Sequence, residues 1–595
     1  MRILLLPLLS ISFLFAASPQ QTALIQQIKE SEPLIAQSLI DYRVPGLALG
    51  ILLDGELVYT KGFGKSDLEK GLSVSADTIF QIGSCSKAFT SFLSGLLMEE
   101  GKISWDQPLI DLLPQFRLQN SYATLHMTMR DILSHRSGFP RHPLVWYGAS
   151  DMNREELVQK LRYLDFSTDF RERHHYGDLL YIAAALAMEK VVGKSWEEQI
   201  KERVLAPLKM ARTGVSLKEM EKKNDIALPY QVKAGKIQRM AFRDFKLIAP
   251  AGGLHSTVND LSKWVSMHLH GGKIGSLSLI SPVTLQEMYS PQAIIQEAPQ
   301  AKEAAISLAG LGWNIIPYRG HYYVSHDGGV DGFTSVVNLL PEEKIGIIVL
   351  TNSNLTPLAR YLSGFVMDRL LLLPPKDWLQ EGLEKVQTSW KLESQTTDIS
   401  GRKQGTALSH PISHYAGSYS HPGYGTLKIQ VIEEGKLRME HNGLAAILEP
   451  WHYDTFILSQ ELQDLIRSRK GMKFSFQTTN DGEIKSVSAT LEPATKEIVF
   501  VKETQFEETL RSYLLRFTGL YEFQGHTVEI ALRDGVLCGI IPGQPTYELV
   551  PQGENCFVIK SMGYLLRFEI NASQKVEKIT LSLPYGTFSA TPKKN

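Results

Sequence analysis

Apolar positions over the first 375 residues switch between a strand period and a helix period. Residues 47–53 form a nearly continuous apolar run and 56–60 a second one, and Asp54-Gly55 between them predicts a hairpin. Residues 88–98 are strongly apolar and run out at Gly101, which predicts a helix with glycine at its C-terminal end. The stretch 196–205 predicts a surface helix opened by a capping box, Ser195 with Glu198. Runs at 322–325, 334–340 and 345–351 predict successive antiparallel strands. Strands at both ends with helices between them predict an α+β domain whose terminal strands share one sheet.

The pattern changes after Leu373-Pro374-Pro375. Residues 376–409 are polar and partly helical, the expected linker, and beyond them short strands recur between turn signals. Those signals are Glu434-Gly435, Asn442-Gly443, Asp481-Gly482 and Asp534-Gly535. This half also repeats itself. Tyr415-Ala-Gly-Ser-Tyr419 matches Phe517-Thr-Gly-Leu-Tyr521, and Gly435-Lys-Leu437 matches Gly535-Val-Leu537. Leu448-Glu-Pro450 matches Leu549-Val-Pro551, and Phe456-Ile-Leu458 matches Phe557-Val-Ile559. A near-constant offset predicts two copies of one all-β, barrel-like unit, at 410–505 and 506–595.

The N-terminus has a different character. Met1-Arg2, an apolar stretch at 3–15 and then Ala16-Ala17-Ser18 predict an export signal over 1–18, shorter than a comfortable membrane span. The expectation is a periplasmic or secreted protein, with an uncleaved anchor as the alternative. Lys+Arg 62 against Asp+Glu 63 gives a net charge of −1, which offers nucleic acid no basic footprint. The densest basic run, Arg467-Ser468-Arg469-Lys470, has no interleaved aromatics and is expected to be a solvated turn. Three cysteines, Cys85, Cys538 and Cys556, make neither a disulfide scaffold nor a metal-ligand spacing. Cys538 and Cys556 could pair in an oxidising compartment; two buried thiols in neighbouring strands is the preferred expectation.

The chemistry is concentrated at Ile82-Gly-Ser84-Cys-Ser-Lys87, at the head of the apolar helix. A serine hydroxyl needs a proton acceptor within hydrogen-bond reach to become a nucleophile. Residues three apart share a helix face, so Lys87 can sit against the Ser84 oxygen, while the helix N-terminus favours negative charge there. Ser-x-x-Lys alone is common, and a cap serine with a lysine reaching to solvent satisfies it equally well.

Further motifs follow in order: Pro45-Gly-Leu-Ala48, Leu133-Ser-His-Arg-Ser-Gly138, Pro250-Ala-Gly-Gly-Leu254 and Gly310-Leu-Gly-Trp313. His326-Asp-Gly-Gly-Val-Asp-Gly-Phe333 comes last, followed by Pro341 to Asn352. Over about residues 30–370 this order resembles the serine β-lactamase and penicillin-binding-protein superfamily, in its class C β-lactamase, esterase and D-aminopeptidase branch. The resemblance implies a β-lactamase/transpeptidase-like domain over 19–375, an antiparallel sheet flanked by helices with a helical subdomain. It implies a serine hydrolase that works through a Ser84 acyl-enzyme.

Carried over residue by residue, the resemblance makes Tyr176 in His175-Tyr-Gly-Asp178 the general acid/base, taking the serine proton and returning it to the leaving group. Asp178 departs from the usual asparagine: a carboxylate there holds Lys87 as ammonium and cannot donate to a substrate carbonyl. His326-Asp-Gly328 stands where Lys-Thr-Gly is usual. Gly328 admits substrate backbone, and His326 orients Tyr176 or meets a substrate carboxylate. The Gly329 amide is implied to pair with the Ser84 amide as the oxyanion hole. His174, His175 and His255 are expected to be structural, as are Trp146, Tyr147 and Trp313, and no metal or other cofactor is expected.

A hydrolase followed by two β-domains resembles D-aminopeptidases and related exported peptidases. In them the β-domains shape or cover the cleft and can mediate oligomers, so a homo-oligomer through these domains is a further expectation. The implied substrate is a small peptide or amide, including D-residue peptides. An esterase or β-lactamase on the same scaffold, and a catalytically silent binding protein, remain as alternatives.

Overall fold

The hairpin expected at the first two apolar runs is formed by the strands Gly46–Leu53 and Glu56–Asp67, inside a nine-stranded sheet. The computed structural model describes residues 19–595 apart from 234, 297–302, 304–305, 394–400, 433–435, 460–471, 524, 534, 572–573, 584–585 and 594–595. The N-terminal apolar run, the basic run 467–470 and the turn residues Glu434, Gly435 and Asp534 lie outside the described residues.

The sheet runs in the order Ala293–Gln296, Ser307–Ala309, Asn314–Tyr318, His321–Val330, Phe333–Leu340, Ile345–Thr351, Gly46–Leu53, Glu56–Asp67 and Leu72–Ser73. The first long strand pairs antiparallel with Ile345–Thr351, Leu47 opposite Thr351 and Ile51 opposite Ile347. The terminal strands do share one sheet. Gly46–Leu53 is buried along its whole length, which is why its sequence is continuously apolar rather than alternating.

Its two faces still serve two different layers. Leu47, Leu49, Ile51 and Leu53 enter one core with Ile28, Leu39, Val349, Leu362 and Leu379. Each fully buried aliphatic side chain there stabilises the fold by about 1.5–3 kcal/mol. On the other face Gly50 makes room for the helix Val258–Leu269, whose Val258 would lie 2.4 Å from a Cβ at that position. The helix Ser86–Glu99 packs beside it, Phe89 stacked on Trp264 at 4.0 Å.

Two elements differ from expectation. Trp378–Glu393, in the segment expected to be a linker, is a helix of the hydrolase domain: Leu379 joins the core just described and its carbonyl accepts from Tyr42 Oη at 2.6 Å. The helix expected over 196–205 has its capping box, but Trp196, Gln199, Ile200 and Val204 are buried and its second half widens into a π turn at Lys201–Leu205. A core-facing aromatic at the first helical position overrides the surface pattern.

Two compact units result, the described residues of Met1–His142 with Asn153–Thr396, and of Pro143–Met152 with Thr397–Asn595. The second contains two closed barrels of eight strands each, Gly417–His421 through Ile498–Lys502 and Gly519–Phe523 through Gly586–Pro592. They repeat residue for residue. Leu437 pairs with Leu448 and Leu537 with Leu549; Pro450 pairs with Phe456 and Pro551 with Phe557. Cys538 and Cys556 are free thiols on Val536–Ile540 and Cys556–Ile559. Those strands are not neighbours, because Tyr547–Gly553 lies between them. Also within this unit, His441 Nε2 and Asn442 Nδ2 reach the Leu144 carbonyl at 2.9 and 3.0 Å. Among the described residues no helix is long and apolar enough to cross a membrane.

Candidate active site

Gly83–Cys85 form a single 3-10 turn that runs directly into the helix Ser86–Glu99. Gly83 sits at φ 51, and a Cβ on it would come within 2.8 Å of the Gly329 amide nitrogen. A Cβ on Gly328 would come within 1.9 Å of the Ile82 carbonyl oxygen. Only glycine at both places lets the strand His321–Val330 press its backbone onto the serine turn. Ser335 Oγ donates to the Ile82 carbonyl at 2.8 Å and Cys85 Sγ to the His326 carbonyl at 3.2 Å, which fastens turn to strand. Burial pushes the Cys85 thiol up to about 12, so it is a packing group and not a nucleophile. Residues 326–330 pair with Phe333–Leu340, whereas the pairing with Asn314–Tyr318 stops at Ser325.

Lys87 is fully buried, while Ser84 keeps partial exposure. The lysine Nζ donates to Asp178 Oδ1 at 2.6 Å, to the Ala251 carbonyl at 2.9 Å and to Ser84 Oγ at 3.4 Å. Burial works against its charge, but the Asp178 carboxylate and then Tyr176 outweigh it, and the net pKa lies above that of ordinary lysine. Burial likewise opposes ionisation of Asp178, yet Lys87 and Arg141 hold its carboxyl below the usual range. Both groups stay charged. An ammonium whose protons are all engaged has no lone pair with which to act as a base.

Tyr176 flanks the same ammonium, its ring centroid 4.6 Å from Lys87 Nζ. Its position comes from the Leu133 to Gly138 motif. Thr128 and Asp131 form a capping box on Met129–Leu133; Asp131 then binds Arg136 Nε at 2.6 Å and Arg171 Nη2 at 2.8 Å. His135, left-handed at φ 56, gives its carbonyl to the His175 amide at 2.7 Å, and its Nδ1 accepts from the Gly177 N–H at 3.3 Å. Its ring faces that of Tyr176 at 4.5 Å.

The other sequence-predicted residues are brought to the same place or set apart from it. His326 is buried, with Nδ1 2.8 Å from the Asp327 carbonyl; burial and then Lys87 bring its pKa down to about 4. It is neutral at physiological pH. Burial, then the neighbouring His175, lowers His174 to about 4 as well, and His175 bonds Ser167 and Thr168. Trp313 is a core residue, edge-on to His268 at 5.4 Å and to Tyr289 at 6.1 Å. Three contributors were not foreseen: the Ala251 carbonyl, His135, and Arg141, whose guanidinium lies 5.4 Å from the Tyr176 ring and 3.9 Å from Asp178 Oδ2. The first two sit inside motifs already singled out; Arg141 carries no sequence signal. Among the described residues no group of three or more His, Cys, Asp or Glu side chains is arranged to hold a metal ion.

A model of the Beta-lactamase family matches residues 23–371, and one of a domain of unknown function, DUF3471, matches 401–508, over the first barrel. The unguisins hydrolase ungD' of Aspergillus campestris is 29% identical over 426 residues, which are 68% of this chain and 78% of the relative. Protein flp of Staphylococcus aureus is 24% identical over 339 residues, 55% of this chain and 63% of that protein. The octameric penicillin-binding protein homologue from Pyrococcus abyssi aligns at TM-score 0.51 with 24% identity, covering 80% of this chain and 100% of that one. EstCE1, a hydrolase with promiscuous acyltransferase activity, aligns at TM-score 0.51 with 18% identity over 58% of this chain and 99% of its own.

Proposed function

The chain belongs to the Beta-lactamase family and is a serine hydrolase, and from that premise we propose a peptidase or amidase that acts through a Ser84 acyl-enzyme on small peptides, D-residue peptides included. The observation that carries this reading is the placement of Tyr176 beside a lysine locked as ammonium. Acting as the phenolate, the Tyr176 oxygen takes the Ser84 hydroxyl proton and becomes the phenol as Oγ bonds to the substrate carbonyl carbon. The Ser84 and Gly329 amides receive the oxyanion. When the tetrahedral species collapses, the carbon–nitrogen bond breaks and the proton passes from Tyr176 to the departing amine. Water then enters by the same route, its proton going to Tyr176, and the acyl–Oγ bond breaks as the proton returns to Ser84. An amine must be protonated to leave, whereas an alkoxide needs little help, so a dedicated proton shuttle suits an amide. His326, being neutral, is no charged anchor for a substrate carboxylate.

One observation favours the second reading, an esterase: Asp178 is ionised and cannot donate to an amide carbonyl of a substrate. A panel of D-aminoacyl amides, short acyl esters, nitrocefin and unguisins, with Ser84→Ala as control, decides between them. Amides turned over faster than matched esters support the proposal; turnover of esters alone replaces it. Export before action is part of this proposal, on the strength of the signal pattern at residues 1–18, and N-terminal sequencing of protein from the extracytoplasmic fraction checks it.

A further inference from the structure

Arg141 sets a cation with no hydrogen bond of its own beside the proton-transfer group. Its guanidinium carbon lies 5.4 Å from the Tyr176 ring centroid, and its Nη2 lies 3.9 Å from Asp178 Oδ2. The second distance is too long for a hydrogen bond, and Asp178 commits its other oxygen to Lys87 at 2.6 Å. Among the described residues no group accepts from this guanidinium within hydrogen-bond distance. Arg136 and Arg171 differ, since both bond Asp131, at 2.6 and 2.8 Å. The Arg141 side chain is 56% exposed, so its five N–H donors are open to solvent. The backbone beneath it is fixed. A Cβ on Gly177 would lie 3.5 Å from the Pro140 carbonyl oxygen and 3.8 Å from Arg141 Cα, so this segment packs on the loop of Tyr176. On one side the Gly138 carbonyl accepts from the Ser167 amide at 3.1 Å. On the other, buried His142 places Nε2 2.8 Å from the Asp165 carbonyl.

Steps of 3.4, 4.6 and 5.4 Å lead from Ser84 Oγ through Lys87 Nζ and the Tyr176 ring to Arg141 Cζ. A short peptide spans that path, at about 3.5 Å per residue. The charges along it do not cancel. Lys87 and Arg141 are cations with the Asp178 anion between them, while burial keeps His135, His174 and His326 neutral at physiological pH. The planar fork of a guanidinium matches a carboxylate through two parallel N–H···O bonds. We propose that Arg141 is a specificity-determining residue: its guanidinium receives a carboxylate that the substrate carries near the scissile bond, and it repels an ammonium in the same place. This rests on the Ser84 acyl-enzyme reading and narrows its substrates to carboxylate-bearing peptides and amides, ahead of those with a free amino group there.

The test compares wild type with Arg141→Gln, which removes the charge, and Arg141→Lys, which keeps the charge without the fork. One substrate series varies the acyl group, as 4-nitroanilides of succinate and of succinyl-D-alanine. The other varies the leaving group, as acetyl-D-alanine amides of glycine and of glycylglycine. Each compound is matched by one form with a carboxamide and one with an ammonium in place of the terminal carboxylate. A fluorophosphonate reports Ser84 labelling separately, and with it the fold of each variant. In at least one series wild type is expected to favour carboxylate over carboxamide, with ammonium the poorest. Arg141→Gln is expected to lower that carboxylate-to-carboxamide ratio of kcat/KM about tenfold to a hundredfold, and Arg141→Lys by less. No carboxylate preference in wild type, a ratio unchanged in Arg141→Gln, or a parallel fall for every substrate overturns the anchor while the acyl-enzyme reading stands. Ser84 labelling without turnover of any carboxylate member does the same. Absence of Ser84-dependent labelling and turnover in wild type overturns that reading, and this inference with it.

Discussion

The fate of one proton at Lys87 decides which residue can start the reaction. Two opposed effects act on that amine, removal from water and the carboxylate 2.6 Å away, and the carboxylate prevails. The raised Lys87 pKa contributes stability that is complete below the ordinary lysine range and is lost as pH rises through the folded value. The lowered Asp178 pKa contributes stability that is complete above the ordinary carboxylate range and is lost as pH falls through its own. Between those limits the pair is fully formed. In Asp178→Asn only Tyr176 still opposes the effect of burial on Lys87, its pKa falls, and the alkaline limb of kcat/KM is expected to move to lower pH. Loss of the buried partner is expected to cost about 3 kcal/mol in urea unfolding at pH 7. An alkaline limb in the same place as wild type would remove Asp178 from the mechanism. Asp178 was legible because Tyr176-Gly-Asp178 is a short motif read within one loop. Ala251 was not given a role because its contribution is a carbonyl, which any residue type supplies.

At the scale of elements, Tyr176, the proposed general acid/base, depends on a clamp a whole segment away. Asp131 is buried and joins the helix Met129–Leu133 to the loop that carries Tyr176, through Arg136 on its own side and Arg171 on the other. Burial opposes its charge, but hydrogen bonds from Arg171 and Thr128, with Arg136, hold its carboxyl below the usual range. The clamp is therefore complete above the ordinary carboxylate range and released in acid as pH falls through the lowered value. Asp131→Asn keeps the volume and removes the charge that two guanidiniums share. It is expected to destabilise the fold by about 3 kcal/mol and to weaken its loss of stability in acid. Displacing Tyr176 by a fraction of an ångström is expected to lower kcat by about tenfold to a hundredfold. Hydrogen exchange should quicken over 165–178 while the helix Ser86–Glu99 stays protected; equal quickening of both would mean that Asp131 supports the whole core. Sequence periodicity located the strands and the serine helix because a buried face leaves a regular apolar signature. It could not show that clamp, whose residues are 40 positions apart and polar.

In the molecule as a whole, duplication was legible because the matching residues are those that face each barrel's interior. Tyr419 Oη donates to the Tyr415 carbonyl at 2.9 Å, and Tyr521 Oη donates to the Phe517 carbonyl at 2.9 Å, the same bond in both copies. Phe456 and Phe557, also matched, are both fully buried. The inclusion of Pro143–Met152 in the second unit was not legible, since its partners His441 and Asn442 lie some 300 residues further on and act through a backbone carbonyl. Each barrel closes on its own first strand, Tyr419 opposite Lys502 and Tyr521 opposite Pro592, and the second has a core of its own around Phe517, Phe557 and Phe568. Closure without shared strands makes the two copies separate units of stability. Tyr521→Phe removes one buried hydrogen bond and leaves the Phe517 carbonyl without its partner, a cost of about 1 kcal/mol. Measured by native-state hydrogen exchange on the full chain, that loss should appear in the amides of 519–592 and leave those of 417–502 unchanged. Tyr419→Phe should give the reverse. Loss of protection spreading through both barrels from either substitution would show a single cooperative unit, in which the duplication of sequence no longer corresponds to a duplication of folding.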